Sequence, residues 1–194
     1  HWNRNPEVIT SGDFMRAALF ILFSLLGAGA LAQEDGPVTS LALDLNGDGL
    51  VEGFALLISE TGEADLQISK TGGNDIYAVG LGSTGPGADQ PELAIRGDGQ
   101  ITITSHHDAE GPIRWTEILT LGFPDGSYRI TGYSYVWWSE SDLESFGFCE
   151  LDLRAGTGTI QQNGQPVFEL LIEIPALPAT MWATTEKVMP IDCP

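Results

Sequence analysis

Positive charge is scarce in this sequence of 194 residues. Eight lysines and arginines stand against 27 aspartates and glutamates, which gives a formal net charge of −19 at pH 7. The bases beyond residue 32 are scattered singly, at Lys70, Arg96, Arg114, Arg129, Arg154 and Lys187. Because phosphate backbones and anionic lipids are bound by clustered Lys and Arg, the sequence argues against nucleic-acid binding. An acidic surface instead favours divalent cations and cationic partners.

Cysteine is also scarce, and only Cys149 and Cys193 are present. Neither has a histidine or a second cysteine close by in the sequence, which disfavours a metal site or a catalytic thiol. In an oxidising compartment an isolated pair is typical of one disulfide. It would close a loop of about 45 residues and tie the end of the chain to its middle.

Histidine, the commonest general base, occurs beyond residue 32 only as the adjacent pair His106 and His107. On a strand the two would point to opposite faces, so they could not chelate one metal ion together. Either could pair with Asp108 or Glu110 as a base, or lie in solvent at a hairpin end. A glycosidase would need two carboxylates across a cleft, and the candidates for these are Glu140, Asp142 and Glu144.

No apolar run reaches the roughly 20 residues that a membrane-spanning helix needs. Residues 15–32 begin near Arg16, continue as an apolar stretch and end in Ala-Leu-Ala. This order predicts a signal peptide, cleaved before Gln33, whose contact with the membrane ends at cleavage. The alternative, a membrane anchor, lacks a basic flank. We interpret residues 1–14 as an over-extended reading frame or a short leader, and residues 33–194 as one β-rich domain, periplasmic or secreted.

Strand–turn–strand patterns recur in residues 33–194, whereas helical periodicity is almost absent. Four hairpins are predicted, over 54–69, 93–103, 118–138 and 157–174, turning at 60–63, Gly97-Asp98-Gly99, Pro124-Asp125-Gly126 and Asn163-Gly164 respectively. Consecutive hairpins with short polar turns predict an all-β fold of antiparallel sheets. The sequence leaves open whether these form a sandwich, a barrel or a propeller-like assembly.

The segment "DLNGDGLVE" concentrates oxygen ligands within nine residues. Asp44, Asn46 and Asp48 stand at positions 1, 3 and 5, the Leu50 carbonyl at position 7 and Glu52 at position 9. Such a loop suits a hard cation that takes six to eight oxygen ligands, which predicts a structural Ca²⁺ site. An EF-hand is excluded because Ala55 stands at position 12 and a strand pattern follows. The alternative is an Asx-rich turn that binds nothing.

The stretch "DLNGDGLVEGFALL" resembles the calcium loop of FG-GAP and VCBS-type repeats. The resemblance implies calcium held between strands and a role in adhesion or ligand binding. Those repeats occur once per propeller blade, whereas this sequence has a single copy. Further on, "GSYRITGYSYVWW", followed by Cys149 and a glycine-rich turn, resembles a functionally uncharacterised group of exported bacterial proteins. That second resemblance implies a compartment and a fold, and no activity.

The run "YSYVWW" contains the strongest candidate for a binding surface. On a strand, Tyr133, Tyr135 and Trp137 share one face. If that face is exposed, it forms a flat platform for sugars or for the edge of a partner. If it is buried, the three rings are core residues.

These features together predict an exported, monomeric binding or interaction module of the cell envelope, stabilised by Ca²⁺ and one disulfide. Its partner would be an envelope protein or a glycan. The first alternative is a periplasmic hydrolase acting on polysaccharide or peptidoglycan through one histidine and the acids near Glu140. The second is a purely structural envelope protein.

Overall fold

The computed structural model of the chain describes residues 40–58, 63–83, 89–108, 111–173, 175–183 and 193. All of them belong to one compact unit, Gly36–Pro194. The predicted leader (1–14) and signal peptide (15–32) lie outside the described residues. Within the described ranges, no helix has the length and apolar character to cross a membrane.

The described residues form two antiparallel sheets, which confirms the predicted all-β class. The first sheet has the spatial order β1-β2-β3-β4, with β1 (Ser40–Leu43), β2 (Glu52–Ile58), β3 (Glu63–Ser69) and β4 (Ile76–Ser83). The second runs in order from β5 to β11, with β5 (Glu92–Ile95), β6 (Ile101–His107), β7 (Ile113–Gly122), β8 (Arg129–Ser139), β9 (Phe146–Asp152), β10 (Thr157–Gln162) and β11 (Phe168–Leu171). Neither sheet closes into a barrel within the part of the chain described.

All four predicted hairpins are present, as the antiparallel pairs β2–β3, β5–β6, β7–β8 and β10–β11. The turn between β10 and β11 shows why the prediction succeeds. Asn163 and Gly164 both have positive φ, at 47° and 71°. Asn and Gly are the residues that tolerate this conformation best, so the sequence fixes the turn locally.

Alternation along the strands places one face of each sheet in a shared core. In β3, Ala64, Leu66 and Ile68 are fully buried, and their neighbours are half-buried or exposed. In β6, Ile101 and Ile103 are buried in the same way. The buried side chains of both sheets belong to one hydrophobic cluster. Removal of this apolar surface from water stabilises the fold by about 1.5–3 kcal/mol for each large side chain.

Residues 175–183, here called the C-terminal strap, lie beside the start of β8. The Ile130 N–H donates to the Leu177 carbonyl at 2.9 Å, and the Ala179 N–H donates to the Tyr128 carbonyl at 2.9 Å. Further along the chain, Cys193 forms the predicted disulfide with Cys149 of β9, with the two Cα atoms 5.6 Å apart. The disulfide therefore secures the end of the chain to the centre of the second sheet.

Candidate functional site

The predicted metal loop, residues 44–52, connects β1 to β2. Gly47 and Gly49 have φ values of +74° and +85°, so the chain reverses where the sequence predicts the sharp turn. The Asp44 carboxylate accepts the N–H of Gly47 at 2.8 Å and that of Gly49 at 2.9 Å. Asp48 accepts the N–H of Leu50 at 2.8 Å. These bonds hold the loop in a tight curve with its side-chain oxygens turned inward.

Three carboxylates converge in this loop. Asp44, Asp48 and Glu52 each offer one oxygen, and the three oxygens lie within 4.8 Å of one another. Glu52 is only 2 % exposed, although it is ionisable. A buried carboxylate next to two others needs hydrogen-bond donors or a cation to offset desolvation and repulsion. The residues could therefore hold a metal ion, and nothing in their geometry identifies which one.

Asn46 supplies part of this compensation. Its amide nitrogen donates to Asp48 at 3.1 Å and also to the Oε1 atom of Glu52, while its Oδ1 atom accepts the Asp48 N–H at 2.8 Å. The Leu45 N–H donates to the other oxygen of Glu52 at 2.9 Å. The amide nitrogen of Asn46, rather than its oxygen, therefore faces the carboxylates of Asp48 and Glu52.

Tyr128, which the sequence analysis did not select, lies against this loop. It immediately precedes β8, and its side chain is 6 % exposed. The ring packs edge-on against Phe54 and Phe123, with centroid distances of 6.2 and 4.7 Å. The Lys70 Nζ atom lies 4.9 Å from the ring centroid. Contacts with these three side chains therefore fix the orientation of the ring.

The Tyr128 hydroxyl is buried and makes no hydrogen bond of acceptable geometry within the described part of the structure. Burial, followed by the negative charge of nearby Glu52, raises the pKa of Tyr128 to about 12, although the Asn46 side chain acts in the opposite direction. The hydroxyl is therefore neutral at physiological pH. It lies near Asn46 and Glu52, and the hydrogen bond between these two residues connects the loop to the first residue of β2.

Of the three residues considered for an aromatic platform, Tyr133 follows the alternative of a core residue. Tyr133 is 5 % exposed and belongs to the core, because at that point the inner face of β8 is covered. Burial, followed by the charge of Glu117, raises the pKa of its hydroxyl above the ordinary range. Tyr135 and Trp137, further along the strand, are half-buried. The alternation of side chains along the strand correctly placed all three on one face. It could not show how much of that face other residues cover.

Cross-strand pairing extends the remaining part of the platform. Trp115 of β7 is stacked with His107 of β6 at 6.0 Å and with Tyr135 at 6.1 Å. Trp137 is opposite Trp115 in the register, and it lies over Gly147, where an added Cβ atom would be 2.7 Å from its indole nitrogen. We call these four side chains, His107, Trp115, Tyr135 and Trp137, the aromatic row. Of the four, Trp115 was not selected from the sequence, and His107 was considered there only as a candidate base.

The hydrolase candidates are on or near the second sheet, and several have partners of their own. Glu140 pairs with Arg114 at 2.9 Å, and Asp142 and Glu144 are exposed in the turn before β9. His106 pairs with Asp89 at 3.2 Å, on the opposite face of β6 from His107. Asp89, His106 and Asp108 offer ligand atoms within 4.8 Å of one another, on a largely exposed surface. Glu110 lies outside the described residues.

A broad, open depression of about 1590 Å³ lies on the second sheet. Its lining mixes short hydroxyl side chains with charges of both signs, and includes Thr102, Thr120, Ser134, Glu150 and Thr157. These residues are on the face of the sheet opposite to the aromatic row. The depression is open and its lining is about as polar as it is apolar, unlike the mostly apolar, enclosed pockets that hold small ligands.

Comparison of the chain with known protein families, with curated proteins and with solved structures found no match in any of the three.

Proposed function

We propose that this protein is an exported binding module of the cell envelope, in which the aromatic row binds a neutral glycan and loop 44–52 holds a structural calcium ion. The observation that carries the binding role is the row itself. Trp115, Tyr135 and Trp137 are half-buried side by side across neighbouring strands, so each ring keeps part of its surface in solvent. Rings of this size are normally covered completely in a domain that has a core, so partial exposure shared by three neighbours favours a binding surface.

The chemistry of the row favours a sugar as ligand. The apolar faces of pyranose rings stack on flat aromatic side chains, and stacked Trp115 and Tyr135 offer such a surface. The formal net charge of −19 repels anionic polymers, which favours neutral polysaccharides over anionic glycans. Export is supported by the signal-peptide pattern of residues 15–32 and by the disulfide, since disulfides persist in oxidising compartments.

Calcium is the cation that best suits the loop. Asp44, Asp48 and Glu52 supply only hard oxygen atoms, with no nitrogen or sulfur ligand among them. Ca²⁺ accepts irregular sets of six to eight oxygens, whereas Mg²⁺ requires near-octahedral geometry and Zn²⁺ favours His and Cys. The buried Tyr128 hydroxyl beside the loop adds a polar group that otherwise has no purpose in the core.

The glycan role predicts that Trp115→Ala lowers the affinity for a soluble neutral polysaccharide. Truncation of an aromatic residue at the centre of a binding surface costs about 2 kcal/mol, or roughly 30-fold in affinity. Affinity gel electrophoresis against a set of neutral β-glucans and mannans measures this directly. Trp138→Ala is the matched control, because Trp138 is on the opposite face of β8 and is 39 % exposed.

Equal losses in the two variants would show that the aromatic row is not the binding surface. Absence of binding to every neutral glycan, with capture by an envelope protein instead, would replace the glycan with a protein partner.

A further inference from the structure

We propose that the Tyr128 hydroxyl is a reserved hydrogen-bond donor of the metal loop, which donates to Glu52 when a cation displaces the Asn46 amide nitrogen. This inference rests on the proposed cation site in loop 44–52. It assigns to that site a positioning residue from the second sheet, far from the loop in sequence.

The Tyr128 hydroxyl is costly where it lies. The residue is only 6 % exposed, and its hydroxyl makes no hydrogen bond of acceptable geometry among the described residues. A buried polar group without a partner destabilises a fold, and native structures contain few of them. Phenylalanine would fill the same space between Phe54 and Phe123 without this cost. The hydroxyl therefore calls for a partner that becomes available in another state of the site.

The neighbouring side chains fix the direction of the hydroxyl. The ring is held by edge contacts with Phe54 and Phe123 and by Lys70 above its face. Phe54 and Glu52 are both buried on the same face of β2, two residues apart. The ring cannot swing its hydroxyl away from Glu52 without losing these contacts. The hydroxyl therefore stays on one side of the Glu52 carboxylate.

A bound cation would exchange the donors of Glu52. The Glu52 Oε1 atom accepts the Asn46 amide nitrogen, while Asn46 Oδ1 accepts the Asp48 N–H. A cation among the three carboxylates repels the Asn46 NH₂ group and moves it away from Glu52, whereas Oδ1 keeps its bond to the Asp48 N–H. Glu52 then loses one donor while it remains buried. The neutral Tyr128 O–H replaces that donor, and no proton is transferred.

The exchange also explains why the ion would matter beyond its own loop. The Tyr128 carbonyl accepts the Ala179 N–H of the C-terminal strap at 2.9 Å. A bond from the Tyr128 hydroxyl to Glu52 would connect β2 of the first sheet to the start of β8 and to the strap. The loaded loop would therefore join three parts of the fold.

The test compares the full chain with its Tyr128→Phe variant. Calcium affinity is measured by calorimetric titration and by terbium luminescence, and melting is followed with and without EDTA. Loss of one hydrogen bond to a charged group should weaken calcium binding about tenfold. In EDTA the variant should melt at the same temperature as the wild type or higher, because it lacks the unpartnered hydroxyl. Tyr77→Phe, an exposed tyrosine of the first sheet, is the control and should change neither quantity.

A purely structural role for Tyr128 would lower the melting temperature equally with and without calcium and leave the calcium affinity unchanged; either observation overturns the inference. If the wild type binds neither Ca²⁺ nor Tb³⁺, the cation site itself is wrong, which is a different result. A measurement on the wild type covers the case in which the variant does not fold. The ring-carbon NMR signal of Tyr128 should shift on addition of Ca²⁺, whereas that of Tyr77 should not, and an unmoved Tyr128 signal contradicts the proposal.

Discussion

Calcium added at about 10 mM to chelator-treated protein is expected to raise its melting temperature by about 3–10 °C. Extracellular oxygen-ligand loops bind Ca²⁺ with dissociation constants of about 0.1–1 mM, so this concentration adds about 1.4–2.7 kcal/mol to the free energy of unfolding. The physical reason is that Asp44, Asp48 and Glu52 repel one another in the folded loop and separate on unfolding. Calorimetry with Ca²⁺ and with EDTA measures the difference.

Asp44→Ala should abolish this response, because it removes one of the three converging carboxylates. The variant should also melt lower than the wild type in EDTA, since Asp44 accepts the N–H groups of Gly47 and Gly49. Asp98→Ala is the matched control: Asp98 also accepts a turn N–H, that of Gln100, but lies outside the converging carboxylates. A wild type that melts identically with calcium and with EDTA would show that the loop is an Asx-rich turn only.

The parts of this structure that were predicted from the sequence are those that depend on neighbours in the chain. The turn at Asn163-Gly164 needs positive φ at two adjacent residues, and those residues provide it. The metal loop gathers its carboxylates within nine residues, from Asp44 to Glu52, so their convergence follows from local geometry. The pairing of Cys149 with Cys193 could be predicted without their spacing, because the sequence contains only these two cysteines.

The parts that were missed depend on contacts between distant segments. Trp115 joins the aromatic row only because β7 pairs with β8 in a register that brings it opposite Trp137. Tyr128 reaches the metal loop across the core, through its contact with Phe54. The choice between platform and core at Tyr133 depends on the same kind of contact: the sequence shows which residues share a face, and tertiary packing decides how far along the strand that face is covered. Functional residues of this kind are recognised only once the sheets are paired and packed.

Replacement of both cysteines, as Cys149→Ala with Cys193→Ala, is expected to lower the free energy of unfolding by about 4 kcal/mol on the chain-entropy model. The reason is the length of the loop, since the two residues are 44 positions apart. For a domain of this size the melting temperature should fall by about 8–16 °C. Chemical denaturation of the variant and of the wild type gives the difference.

A second prediction distinguishes a covalent bond between the two cysteines from their burial alone. Cys149 is fully buried between β8 and β10, where it is opposite Tyr135 and Ile160, and Cys193 is 5 % exposed. Neither sulfur should react with a thiol reagent in unreduced protein, even after unfolding in denaturant, because a covalent bond survives unfolding and mere burial does not. Reduction before unfolding should expose two thiols and lower stability to that of the double variant. Labelling of unreduced, unfolded protein would show that the bond is not formed, and the end of the chain would then depend on the strap contacts alone.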